Sequence, residues 1–219
     1  MPITFYGHHF SAYCQKALIA FHEHSVDHDL RKIDFEDPEI MAEFEEIWRL
    51  KRMPVIIDSG HTIMESSIII EHIDLHHNSG HDLVPRDRAL ALEARFMDRF
   101  FDNYISTPQM TVVFDVLRDA KDRDAYGVNK AIDLLETSYG WLNDRVADRT
   151  WAAGEDFSLA DCAAGPALFY AHWTHPIDRK YRHVHALRDR LMERPSFARC
   201  IADAKPYRHL FPLEVEHMD

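Results

Sequence analysis

Residues 154–171 read GEDFSLADCAAGPALFYA, and their reading decides the fold of the second half of the chain. Ser158 followed three residues later by Asp161 is a capping box in its acidic form. The hydroxyl is expected to accept the Asp161 N–H, and the carboxylate to reach back to the Ser158 N–H. Phe157 before the cap and Cys162 after it form the expected hydrophobic staple. Beyond the cap, Ala160, Ala163, Ala164, Ala167, Leu168 and Phe169 make the helix apolar nearly all round, so it is expected to be central and buried. A buried helix start cannot use water for its free donors, which makes such a cap worth about 1–2 kcal/mol. Ser158 and Asp161 are therefore read as structural.

Working outward, residues 88–204 carry helical patterns and almost no strand signal. ALALEARFMDRFFDNYI (89–105) and GVNKAIDLLETSYGWLNDRVAD (127–148) are long amphipathic stretches, and Pro195 marks another helix start. The spacing predicts an all-helical bundle of roughly five helices over 88–219. Before it, NSGHDLVPRD (78–87) is a polar connector with Gly80 and Pro85, and the linker is placed at about 80–87.

Residues 1–79 have a different grammar. ITFYG is a short β-rich run, and Ala17, Leu18, Ala20 and Phe21 then recur at helical spacing after Ser11. VDHDLRKIDF (26–35) alternates like a half-exposed strand, and DPEIMAEFEEIW (37–48) is an acidic helix opened by Pro38. VIID and HTIM are strands joined by Ser59-Gly60, and ESSIIIEHIDLHH (65–77) is a helix. The predicted order is β-α-β-α-β-β-α.

The bulk numbers limit what this chain does. Its 219 residues suit one or two compact domains, and the formal net charge of -12 argues against a nucleic-acid or anionic-membrane binder. Three cysteines (Cys14, Cys162, Cys200) make no disulfide framework. The first residues lack a signal-peptide pattern and no apolar run reaches the ~20 residues of a membrane span. A cytoplasmic protein is expected.

Three ordered markers carry a family resemblance. SAYCQKAL (11–18), RMPVIID…IMESSIII (52–58, 63–70) and GEDFSLAD (154–161) together resemble the glutathione transferase superfamily, in its bacterial-type, Ser-dependent cytosolic form. The resemblance implies an α/β thioredoxin-like N-terminal domain, an all-α C-terminal bundle, and a homodimer that uses glutathione as co-substrate in detoxification. It implies that Ser11 activates the glutathione thiol, with Cys14 and Tyr6 as alternates and Tyr13 behind them. It assigns Glu65 and Ser66 to the γ-glutamyl end, and Arg52, Met53, Pro54 and Val55 to the remainder of the tripeptide, with a cis bond before Pro54. EIWRLKRM (46–53) departs from the family's Asn-Pro-x-Gly loop, so Lys51 competes with Arg52 for the glycine carboxylate. Phe10 and Tyr104 are candidates for the electrophile wall, and Asp98 or Asp102 for a contact with a partner's site.

Physical chemistry supports a Ser11 role independently. A helix N-terminus favours an anion. A hundredfold gain in thiol acidity needs ~2.7 kcal/mol, and a hydroxyl hydrogen bond to a charged group contributes ~1.5–3 kcal/mol. An ordinary N-cap at Ser11 is compatible with this role. Cys14, one turn further, would support glutathione-dependent thiol–disulfide exchange instead, and a non-enzymatic binding or regulatory protein of the same fold is a further alternative. His8 and His9 border the site. His24/His28 and His72/His76 are i,i+4 pairs able to share a helix face, but neither brings a matching third ligand, and no metal is expected.

Overall fold

The computed structural model describes residues 2–215. The first half runs β1 (Ile3–Gly7), α1 (Ala12–Glu23), β2 (His28–Lys32), α2 (Pro38–Ile47), β3 (Val55–Asp58), β4 (His61–Met64) and α3 (Ser66–His76), the order the sequence predicts. The sheet order is β2-β1-β3-β4, with β2 parallel to β1 and the other pairs antiparallel. Period-two alternation along β1 sends Phe5 and Tyr6 to opposite faces. Phe5 meets Phe21 of α1 edge-on, with centroids 5.6 Å apart, while Tyr6 stacks on Phe44 of α2 at 6.2 Å. Ser59 and Gly60, both at positive φ, turn the β3–β4 hairpin.

α1 is buried on nearly every side. Residues 14–21 are all inaccessible, including Gln15 and Lys16, because the helix lies between the sheet and the bundle. Gly7 permits this approach: a Cβ there would sit 2.6 Å from the Phe5 ring and 2.7 Å from Cys14 Sγ.

The second half holds, among the described residues, six α-helices instead of the roughly five expected: α4 (Arg88–Phe100), α5 (Thr107–Val116), α6 (Ala125–Arg145), α7 (Leu159–Thr174), α8 (Arg182–Glu193) and α9 (Pro195–Ala204). A π-helical segment, Phe101–Ser106, joins α4 to α5. Pro108 explains it: proline cannot donate, and its ring would strike the Tyr104 carbonyl of a regular helix. The Thr107 N–H instead reaches back five residues to the Asp102 carbonyl.

α7 is the central helix. Asp161 accepts from the Ser158 N–H at 3.0 Å and the Ala152 N–H at 2.8 Å, and Ser158 Oγ accepts from the Ala160 N–H at 3.3 Å. Burial pushes the Asp161 carboxyl up to about 7 against the pull of these donors. The connector is less polar in its packing than in its composition. Leu83 is fully buried, its carbonyl accepts from Leu159 N at 2.8 Å, and Asp74 receives the Leu83 and Val84 N–H groups. One apolar core therefore runs from β1 and α1 through Leu83 into α7 and α9. No helix of the described residues is long and apolar enough to cross a membrane.

Candidate functional site

Strand register gathers the first-half candidates at one end of the sheet. Tyr6 pairs with Val55, and Val55 pairs with Met64, forming one row across three strands. At that end β1 leads through residues 8–11 into α1, the cis Met53–Pro54 bond enters β3, and β4 leads through Glu65 into α3. Adjacent strands are ~4.8 Å apart, so the row measures ~10 Å, the length of an extended tripeptide.

Two helix N-termini open there. Ser11 is the N-cap of α1, and its Oγ accepts from the Cys14 N–H at 3.4 Å, a long bond. The first turn, Ala12-Tyr13-Cys14, brings no acidic side chain, so the positive end of the helix is left for an outside anion. Glu65 is the N-cap of α3 at φ 69, a conformation costly for a residue with a Cβ, and its side chain makes no cap bond. Ser66 is buried behind it while the Glu65 side chain is exposed. Strain at an uncapped helix start is the pattern of a backbone held for a ligand.

Two proposed activators are corrected by this geometry. Cys14 is fully buried, and burial pushes its thiol up to about 11, so it is neither exposed nor ionised. Its sulfur instead accepts from the His8 N–H at 3.4 Å. Tyr6 lies on the α2 face, away from α1, and its hydroxyl donates to Glu43 at 2.8 Å; burial, and then Glu43, raise its pKa. Burial and the Asp102 charge likewise push Tyr13 up to about 12. Burial, and then the Lys32 charge, lower the pKa of His8. Its Nδ1 accepts from the Phe10 N–H at 3.1 Å.

Of the two cations near Pro54, Lys51 is committed to Glu45 at 3.0 Å, whereas Arg52 is exposed and makes no ion pair among the described residues. The structure does not bring Phe10 and Tyr104 into one cluster. Phe10 sits edge-on to Tyr170 at 5.5 Å and near Trp173, with Phe211 behind them. Tyr104 is exposed beside Phe100, which packs on Trp141. The aromatic group around Phe10 was not legible in the sequence, because no local pattern joins residue 10 to Tyr170, Trp173 and Phe211.

Asp98 and Asp102 are also corrected. Both are buried and bind Lys16 of their own chain, at 2.6 and 2.8 Å, with Arg99 alongside and Ser67 bridging to α3. Leaving one of these charges unpaired would cost about 3–5 kcal/mol, so they are spent on joining the halves. His24 and His28 do not share a helix face, since His24 ends α1 and His28 begins β2.

Comparison with known proteins follows the same division of the chain. Residues 5–81 match the glutathione S-transferase N-terminal domain and residues 105–195 the C-terminal domain. A probable glutathione S-transferase of Glycine max is 31% identical over 123 residues, covering 56% of this chain and 50% of that protein. The chain spans about half the length of the first curated relatives it matches. A solved glutathione S-transferase of Methylobacterium radiotolerans, in complex with glutathione sulfonate, is 27% identical with a TM-score of 0.79, covering 92% of this chain and 95% of that one. A glutathione S-transferase of Methylobacillus flagellatus with glutathione bound has a TM-score of 0.83 at 23% identity, covering 90% and 98%, and shares the fold.

Proposed function

The chain belongs to the glutathione S-transferase superfamily, and on that premise we propose that it is a Ser-dependent glutathione transferase of the bacterial type. The observation that carries this reading is the row Tyr6–Val55–Met64 with two open helix N-termini at its end. In this reading the γ-glutamyl carboxylate takes the α3 N-terminus at Ser66, and the Glu65 carboxylate takes the γ-glutamyl ammonium. The Val55 main chain meets the middle of the tripeptide, Met53 and Pro54 shape that edge, and Arg52 holds the glycine carboxylate. The thiol then lies at Ser11, whose hydroxyl hydrogen donates to the thiolate while its oxygen still accepts from the Cys14 N–H.

Chemistry follows from that placement. The thiol proton leaves to solvent, and the sulfur lone pair forms a C–S bond with an electrophilic carbon of a small hydrophobic substrate. The leaving group departs with its electron pair, or, in an addition, a proton completes the adduct. Phe10, packed on Tyr170 and Trp173 of the helical half, forms an apolar wall beside the sulfur. A homodimer, a cytoplasmic location and a role in detoxification belong to the same reading.

Calorimetric titration of glutathione into the wild type and Ser11→Ala, with thiolate absorbance followed against pH, tests it. Both proteins are expected to bind, and only the wild type to ionise bound glutathione near neutral pH. Ionisation that survives the substitution removes Ser11 as activator. Absence of binding to either protein overturns the transferase reading in favour of a non-enzymatic role.

A further inference from the structure

The opposite end of the sheet holds a second cluster, about 15 Å away along α3. Asp58, the last residue of β3, is met there by His72 of α3 and His77, the residue that ends it. His72 Nε2 lies 2.8 Å and His77 Nε2 2.7 Å from the same oxygen, Asp58 Oδ2. The three donor atoms all lie within 4.8 Å of one another.

We propose that Asp58, His72 and His77 form a binding site for a divalent transition-metal ion of the zinc type. Two imidazole nitrogens and one carboxylate oxygen are the donor set that borderline metals prefer, whereas calcium and magnesium favour all-oxygen shells. Metal–ligand bonds of ~2.0–2.2 Å around a shared ion hold donor atoms roughly 3.3 Å apart. Opening the two N···O contacts by about half an ångström, with the two imidazole nitrogens, now within 4.8 Å, settling to a similar spacing, accommodates the ion. In the metal-bound state the ion occupies the place of the protons that now lie between Nε2 and Oδ2.

Several independent features support the site. Asp58 is held in place, because Ser59 Oγ donates to its other oxygen at 3.0 Å, as expected of a partner that orients a ligand. The Asp58 side chain is 10% exposed while those of His72 and His77 are 18% and 31% exposed, so an ion can enter from solvent onto an anchored carboxylate. The groove at this spot is also lined by His61, which pairs with Asp58 across the hairpin, and by His76, whose ring lies 4.6 Å from that of His72. The formal net charge of -12 also favours cation capture. The sequence pairs His72 with His76 by helical spacing. The structure substitutes His77, because that residue leaves the helix at φ -130 and turns back to Asp58.

The test is titration of the full chain with cobalt(II), followed by visible absorption, and with zinc(II) by displacement. One cobalt ion per chain with micromolar affinity is expected, displaced by zinc. His72→Gln and His77→Gln should each weaken binding at least tenfold, and His209→Gln, an exposed histidine in the other half, should leave it unchanged. Both site variants should keep glutathione binding, which verifies their folding and separates this proposal from the transferase reading. Wild-type affinity in the His72 and His77 variants, or no stoichiometric binding to the wild type, overturns it.

Discussion

Ser11 and Ser158 are the same residue in the same local role, each the N-cap of a helix, and they end in opposite circumstances. Three residues after Ser158 stands Asp161, which takes up the Ser158 and Ala152 donors within the core. Three residues after Ser11 stands Cys14, which takes up no cap donor, and the α1 first turn is left to a single bond of 3.4 Å. One helix start is closed within the core, by its own capping box and by the Leu83 carbonyl, and carries the fold. The other is left incomplete, together with that of α3, and an incomplete helix start is what a ligand anion can complete.

Disabling the closed cap should have the largest effect. Asp161→Ala leaves two buried N–H groups without an acceptor and is expected to cost about 3 kcal/mol, measured by urea unfolding. A loss under about 1 kcal/mol would show that the contrast between the two caps is weaker than their geometry. Ser11→Ala should behave in the reverse manner. It should lower transferase kcat/KM about 10- to 100-fold, for a lost hydroxyl bond to a charged sulfur of ~1.5–3 kcal/mol, with stability changed by less than about 1 kcal/mol. A large stability loss with intact activity would make Ser11 a cap and nothing more.

Glu65→Gly sharpens the comparison at α3. Glycine relieves the positive φ, so stability should hold or rise by up to about 1 kcal/mol, while glutathione Kd rises about tenfold. Parallel loss of both would remove the case for strain held for binding. The smallest effect belongs to Cys14. With its thiol pushed up to about 11, it stays protonated through pH 8–9. Iodoacetamide should therefore label it at pH 8 only after unfolding, and Cys14→Ala should leave the pH profile of bound-glutathione ionisation in place. Fast labelling of the folded protein would return Cys14 to candidacy.

Much of the fold was legible because it is written in local signals. The capping box, the Ser59-Gly60 turn and Pro38 each act over a few residues and were read correctly. The π segment was not, since Pro108 acts through a helix whose course depends on its neighbours. At the site, the sequence presents Ser11, Glu65 and Ser66 as helix starts but says nothing of Tyr6 facing α2 or of Lys16 drawing Asp98 and Asp102 inward.

By itself, then, the sequence determined the two-part architecture, the element order of the first half and the caps, because these depend on propensity, periodicity and contacts within one turn. Only the tertiary structure decided which serine is left open, that Cys14 is buried, and which histidines meet Asp58. Those outcomes depend on strand register and on the packing of α1 between sheet and bundle. Both bring together residues dozens of positions apart, and no local pattern encodes such distances.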